Sequence, residues 1–295
     1  MKSGLVALIG RPNVGKSTLL NALLGQKLAI MSDRPQTTRS VVRGVLHRPD
    51  GQAVFLDTPG FHKPSTLLGQ RLNDLTMGTL AEVDLVCFLI DAHAGVGRGD
   101  KFLADQLAKV RTPVIAVANK VDTASRPATV AALDAVSKLG EWAEIVPISA
   151  RTGEQVGMLA DLILDRLPEG PALYPEGHVT DEPEQHLIAE VIREKALGMV
   201  RDELPHSIAV VVEDQETETR QDGSGLLTIR AFLFVERDSQ KPIVIGKRGA
   251  VLREIGTKAR TELEALLGTK VYLDLRVKVA KEWQGDPKLL ARLGF

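Results

Sequence analysis

The chain has 295 residues, with 37 Lys+Arg against 38 Asp+Glu, a net charge of −1, 44% hydrophobic and 25% charged residues. That length suggests two domains, and that balance excludes a wholly disordered chain. A single cysteine, Cys87, excludes an intrachain disulfide framework and a multi-cysteine zinc site, and no apolar stretch reaches the roughly 18–20 residues that span a bilayer.

The first apolar run, Leu5–Ile9, is too short and too soon followed by Arg11-Pro12-Asn13 for a signal peptide; it reads as a buried strand. Directly after it stands Gly10-Arg11-Pro12-Asn13-Val14-Gly15-Lys16-Ser17. This is the G-x-x-x-x-G-K-[ST] pattern in its required place between a strand and a helix, here Ser17–Leu24. Its glycines let backbone N–H groups turn around phosphate oxygens, and the helix start adds its positive end. Phosphate contacts are expected from Gly10 to Thr18, with Lys16 on the β- and γ-phosphates and Ser17 on Mg2+. Gln36-Thr37-Thr38-Arg39 follows, and Thr38 is preferred to Thr37 as the second hydroxyl on that metal.

Strands are expected at Val41–Leu46 and Ala53–Leu56. Asp57-Thr58-Pro59-Gly60 comes next; alone it is good turn chemistry. With the preceding loop, Asp57 can hold Mg2+ through water and Gly60 N–H can meet a γ-phosphate. A strand at Leu85–Ile90 contains Cys87, read as a buried, inert thiol in a reducing compartment. After the strand Val114–Ala118 comes Asn119-Lys120-Val121-Asp122. Asp122 can accept from both N1–H and the 2-amino group of guanine, whereas adenine offers neither donor, so the loop selects guanine. Asn119 would support base and loop, the Lys120 stem would cover the ring, and Ser149-Ala150, after a last strand at Ile145–Ile148, would offer a backbone N–H to the guanine oxygen. Strands alternating with helical spacing, as at Thr129–Leu139, define an α/β domain with a mostly parallel sheet over residues 1–170.

Pro168, Gly170, Pro171, Pro175, Gly177 and Pro183 mark a linker, 171–182. A smaller α+β domain, 183–295, is expected as α-β-β-α-β. Asp181 would cap its first helix, strands would run at Ser207–Glu213 and Leu226–Val235 around a turn at residues 221–225, and a helix would span Ala250–Leu267. In the last strand, Val271 to Val279 alternate inward with Lys270, Tyr272, Asp274, Arg276 and Lys278 outward. From Lys241 onward there are twelve basic against six acidic residues, which suits a polyanion partner. Gly246-Lys247-Arg248-Gly249 is common by chance, but before a helix start in this order it fits the GXXG loop of a KH domain, which clamps single-stranded RNA backbone. Arg276 and Lys278 would extend that basic surface. Only 4% of residues are aromatic, so stacking platforms are not assumed.

The ordered loops Gly10–Ser17, Thr38, Asp57–Gly60, Asn119–Asp122 and Ser149-Ala150 resemble the translation-factor class of GTPases. Where small GTPases carry a water-orienting glutamine, this chain has Phe61, similar to the branch with a hydrophobic residue there. With the α-first KH domain and the ending Lys278-Val279-Ala280-Lys281-Glu282-Trp283, nearly the whole chain resembles the Era family of GTPases. The resemblance implies slow GTP hydrolysis to GDP with Mg2+, and K+ coordination by Asn13. It also implies binding to the 3′ end of small-subunit ribosomal RNA, a role in small-subunit assembly, and a cytoplasmic location with peripheral contact to the inner membrane; a monomer is expected. Two other classes share parts of this pattern. A GTPase gating an RNA-modification activity would need a second reactive constellation, and a nucleotide-independent RNA-binding protein would not need Lys16, Ser17, Asp57 and Asp122.

Overall fold

The computed structural model describes residues 1–295 except 33, 35–36, 201–206 and 220–224. It divides into two compact units, one of Met1–Ser65 with Gly69–Asp181, the other of Glu182–Phe295 with Thr66–Leu68.

In the first unit six strands, β1 (Lys2–Gly10), β2 (Val42–Arg48), β3 (Gly51–Asp57), β4 (Leu85–Asp91), β5 (Val114–Asn119) and β6 (Glu144–Pro147), form one sheet in the order β2-β3-β1-β4-β5-β6. Only β2 runs antiparallel to its neighbour. Helices α1 (Lys16–Leu24), α2 (Leu67–Thr79), α3 (Arg98–Leu107), α4 (Arg126–Ser137) and α5 (Val156–Arg166) alternate with the strands. Alternation along each strand feeds two cores. Val6, Leu8, Phe55, Cys87 and Ile115 meet α1 and α5, while Ala7, Ile9, Phe88, Ile90 and Ala116 meet α3 and α4. Burial on both faces explains why these strands read as unbroken apolar runs. Burial also pushes the Cys87 thiol up to about 12, which makes it inert as expected. In the parallel registers Leu8 pairs with Asp57, Gly10 with Leu89, Asp91 with Asn119 and Ala118 with Pro147, so the motif loops leave from one edge, where ligands bind in such sheets.

Residues 173–181, within the stretch read as a linker, are tied to the first unit. Gln52 accepts from Leu173 and Tyr174 N–H at 2.7 and 3.0 Å and donates to the Tyr174 carbonyl at 2.9 Å. Val45 N–H donates to the Val179 carbonyl at 2.8 Å. Asp181 does not cap the following helix; Tyr174 and His178 hold its carboxylate, and the cap position is Pro183.

The second unit runs α6 (Glu184–Met199), β7 (Ala209–Thr219), β8 (Gly225–Val235), α7 (Lys241–Ile245), α8 (Ala250–Leu267), β9 (Lys270–Val279) and α9 (Pro287–Arg292). β8 pairs antiparallel with β7 and parallel with β9. Ile188 and Ile192 of α6 and Ile255, Ala259 and Leu263 of α8 pack on Ile229, Ala231 and Leu233, covering one face of the sheet. Among the described residues the extra helices α7 and α9 correct the expected order to α-β-β-α-α-β-α; α9 follows the last strand, and α7 stands where a strand-like run was read. It is five residues long and contains two isoleucines and a valine, a composition that favours a strand reading. The turn expected at 221–225 lies, except for Gly225, outside the described residues.

Candidate functional site

A cleft of about 510 Å³ opens at the shared strand edge, lined among others by Asn13, Lys16, Thr18, Met31, Thr38, Gly60 and Lys120. Gly15 begins α1 in a left-handed conformation, φ 98°, and a Cβ there would stand 2.2 Å from Asn119 Nδ2. Asn119 itself donates to the Val14 carbonyl at 2.8 Å and accepts from Ala150 N–H at 3.0 Å, joining three loops through one buried amide. Asn119 thus ties the loops together; it was expected to support both base and loop. Ala150 N–H, expected to face a guanine oxygen, is engaged by Asn119.

Lys16 is buried and donates to the Gly10 and Arg11 carbonyls at 3.2 and 3.0 Å. Burial lowers its pKa to about 8 against the favourable field of Asp57. Ser17 Oγ donates to Asp57 Oδ2 at 2.6 Å and lies 3.0 Å from Thr38 Oγ1, which is itself 3.5 Å from that carboxylate oxygen. Thr37 turns away to the Arg34 carbonyl at 2.7 Å, so Thr38 is the threonine brought to this cluster. Asp57 is wholly buried, and its other oxygen, Oδ1, has no hydrogen-bond partner among the described residues. Burial raises its carboxyl to about 6, against the opposing pull of Lys16, Ser17 and Thr38. An orphaned carboxylate oxygen beside two hydroxyls is a hard-oxygen set that fits Mg2+. Thr58 donates to the Leu8 carbonyl at 2.8 Å, and Thr76 holds the Pro59 carbonyl at 3.1 Å. A Cβ on Gly60 would meet Pro12 backbone at 2.6 Å, which requires glycine there. Val14 is core, and the Arg11 side chain faces Asp100 at 2.8 Å, leaving these two residues only backbone groups for a phosphate.

In the loop after β5, Asp122 accepts from Ser149 Oγ at 2.7 Å and from Arg151. The Ser149 hydroxyl, with Arg151, holds its carboxyl below the usual range. Lys120, at φ 70°, donates to Asp91 Oδ2 at 2.7 Å. Burial would raise Asp91, but Lys120 and the Ala94 and His93 N–H groups outweigh it and hold its carboxyl low. Asp91 was missed in the sequence; its signal is an acid ending a strand in register with Asn119. Asn21 was missed too. Its side chain accepts from Leu28 and Ala29 N–H at 2.8 and 2.9 Å and donates to the Ala29 carbonyl at 2.8 Å, anchoring the segment that leads to Thr37 and Thr38.

In the second unit Gly246 (φ 73°), Arg248 (φ 53°) and Gly249 (φ 77°) turn the chain between α7 and α8, with Lys247 and Arg248 exposed. A Cβ on Gly246 would strike Val251 at 2.5 Å. Beside the loop lies a cleft of about 340 Å³, whose walls include Arg253, Thr257 and Arg260 of α8 and Tyr272 and Leu275 of β9. Arg253 and Arg260, seven residues apart on one helical face, and Tyr272 were not assigned to a site from the sequence. Arg276 and Lys278 are not part of this cleft. Arg276 pairs with Asp274 at 2.8 Å, and Lys278 sits 3.1 Å from the Phe232 ring centre, both on the helix-free face of the sheet.

No helix among the described residues is long and apolar enough to cross a membrane. The fold and its two clefts define a P-loop GTPase unit joined to a KH unit. The model of the 50S ribosome-binding GTPase family matches residues 5–120, and that of the KH domain matches residues 203–284. Curated relatives named GTPase Era from Nocardioides sp. and Mycobacterium sp. are each 57% identical, the alignments covering 100% of this chain and 96% and 99% of theirs. A crystal structure of an Era variant from Aquifex aeolicus bound to GDP and AlF4− superimposes with a TM-score of 0.94 at 42% identity, covering 100% of this chain and 99% of that one. A structure of Era with MgGDPNP and nucleotides 1506–1542 of 16S ribosomal RNA gives 0.94 at 43%, with the same coverage. This chain belongs to the Era family of GTPases.

Proposed function

We propose that the chain is a GTP-hydrolysing switch that binds the 3′ end of small-subunit ribosomal RNA through its KH unit during small-subunit assembly. The observation that carries the nucleotide half is the convergence of Ser17, Thr38 and Asp57 within 2.6–3.5 Å, with one buried carboxylate oxygen left for a metal. Ser17 and Thr38 hold Mg2+ and Asp57 supports it; when bound, the ion neutralises phosphate charge. Backbone N–H groups from Gly10 to Thr18 cradle the phosphates, Lys16 reaches the β- and γ-phosphates, and Gly60 N–H meets the γ-phosphate. Asp122 reads guanine, Lys120 covers the ring, and Asn119, Ser149 and Ala150 shape the pocket. Catalysis is electrostatic and positional, without a side-chain base, and intrinsic turnover is slow.

The RNA half rests on the exposed Lys247-Arg248 pair between two glycines, on the Arg253–Arg260 cleft wall, and on likeness to an Era bound to 16S ribosomal RNA. The family resemblance extends the reading to a cytoplasmic protein with peripheral membrane contact, and the chain is taken to act as a monomer. The deciding experiment is phosphate release from GTP by the purified chain with magnesium. Wild type is expected to turn over and Lys16→Ala to lose most of that activity; equal rates would remove the reading. K+ coordination by Asn13, at φ 62° on the cleft wall, belongs to the same proposal. Turnover should be faster in K+ than in Na+ buffer, and Asn13→Ala should abolish the difference; equal rates in the two salts with wild type would dismiss the K+ site.

A further inference from the structure

Arg11 follows Gly10 in the phosphate loop, yet its guanidinium reaches α3. Its Nε donates to Asp100 Oδ1 at 2.8 Å and its Nη2 to the Gly95 carbonyl at 3.3 Å. Asp100 is wholly buried, and its Oδ2 accepts from Gly97 N–H at 2.7 Å, so one carboxylate caps α3 and grips the phosphate loop. The start of α3 is shaped around the guanidinium: a Cβ on Gly99 would stand 2.7 Å from Arg11 Cδ. Two residues beyond Asp100, Phe102 stacks on Phe61, with ring centres 5.1 Å apart and planes at 17°. Phe61 N–H in turn donates to the Gly10 carbonyl at 3.2 Å. These contacts close a circuit from Gly10 and Arg11 through Asp100 and Phe102 to Phe61 and back.

Phe102 is 45% exposed, while α3 meets the core through Leu103, Ala104 and Leu107. Core packing therefore does not account for an aromatic ring at this position. On the reading that this cleft hydrolyses GTP, we infer that Phe102 is a positioning residue for hydrolysis. Phe61 directly follows Gly60, which lines the cleft and on that reading would turn its N–H to the γ-phosphate, and a phenyl ring cannot orient water. A ring free to rotate there would sweep the volume that the attacking water needs. Stacking on Phe102 holds the ring on α3, and the Arg11–Asp100 pair fixes α3 to the phosphate loop. The effect belongs to the chemical step and not to substrate binding.

The test is steady-state GTP hydrolysis by the full chain together with GDP titration. Phe102→Ala is expected to lower kcat roughly two- to tenfold, the range an aromatic pair of this kind commands, with KM and GDP affinity unchanged. Phe102→Tyr, which keeps the ring, should restore kcat. In a Phe61→Ala background, Phe102→Ala should have no further effect, because the partner through which it acts is gone. Unchanged kcat in Phe102→Ala, the same loss in both backgrounds, or a KM that rises in step would overturn the inference. A wild-type chain that binds GDP but leaves GTP intact would instead strike the reading of the cleft.

Discussion

Three of the residues other than glycine held at positive φ stand in the motif loops: Asn13 at 62°, Lys120 at 70° and Arg248 at 53°. An L-residue adopts this region at a cost, and such positions persist where surrounding contacts over-determine them. Around Lys120 those contacts are plain: Asp91 holds its ammonium, and Asn119 beside it ties the phosphate loop to Ala150. The Asp122 carboxylate is therefore presented by a rigid frame, steadied by Ser149 and Arg151. Two hydrogen bonds to a charged acceptor, at roughly 1.5–3 kcal/mol each, make guanine recognition here worth about a hundredfold or more. Asp122→Asn should lose that factor for GTP and gain affinity for xanthosine triphosphate, whose 2-oxo group suits an amide donor. Competition titration of the two nucleotides checks it, and unchanged GTP affinity would place the base elsewhere.

Among the elements, the strands of the first unit were legible because both faces are buried, so each reads as a continuous run from Leu5–Ile9 onward. The loops were legible because their chemistry needs fixed spacing. What was not legible is informative. Helix α7 is five residues of strand-like composition, placed by tertiary packing of Val244 and not by propensity. Asp91 and Asp100 join the site through contacts with Lys120 and Arg11 that span 29 and 89 residues, which no local pattern carries. Alternation in β9 set Arg276 and Lys278 outward, and "outward" is the face opposite α6 and α8, whereas Arg253 and Arg260 line the cleft beside Gly249. That distinction separates two sets of cations. Replacing Lys247 and Arg248 with Asp should weaken single-stranded RNA binding and reduce the slope of log K against log salt by about 1.4, at roughly 0.7 per phosphate contact. Arg276→Ala with Lys278→Ala should leave both quantities near wild type. Binding isotherms across a salt series decide it, and the reverse ranking would return the RNA surface to the helix-free face.

Across the whole molecule, charge and function separate along the chain. The net charge is −1, yet the stretch from Lys241 onward carries twelve basic and six acidic residues. A polyanion is therefore attracted to one end of the sequence while nucleotide is held at the other. Each unit has its own apolar core, Val6 to Leu167 in the first and Ile188 to Val277 in the second, so each has its own source of cooperative stability. A ligand that binds only the native first unit should stabilise that unit alone. With GDP and magnesium at a hundred times the dissociation constant, the gain is about 2.7 kcal/mol. For a unit of this size that corresponds to an upward shift of roughly 5–10 °C. Calorimetry of the full chain should show one transition moving by this amount with GDP and the other standing still. In Lys16→Ala, whose ammonium no longer meets the phosphates, the shift should shrink while the unshifted transition keeps its temperature. If GDP moved both transitions together, the two cores would unfold as one cooperative body, and nucleotide energy would reach the RNA-binding unit directly through stability.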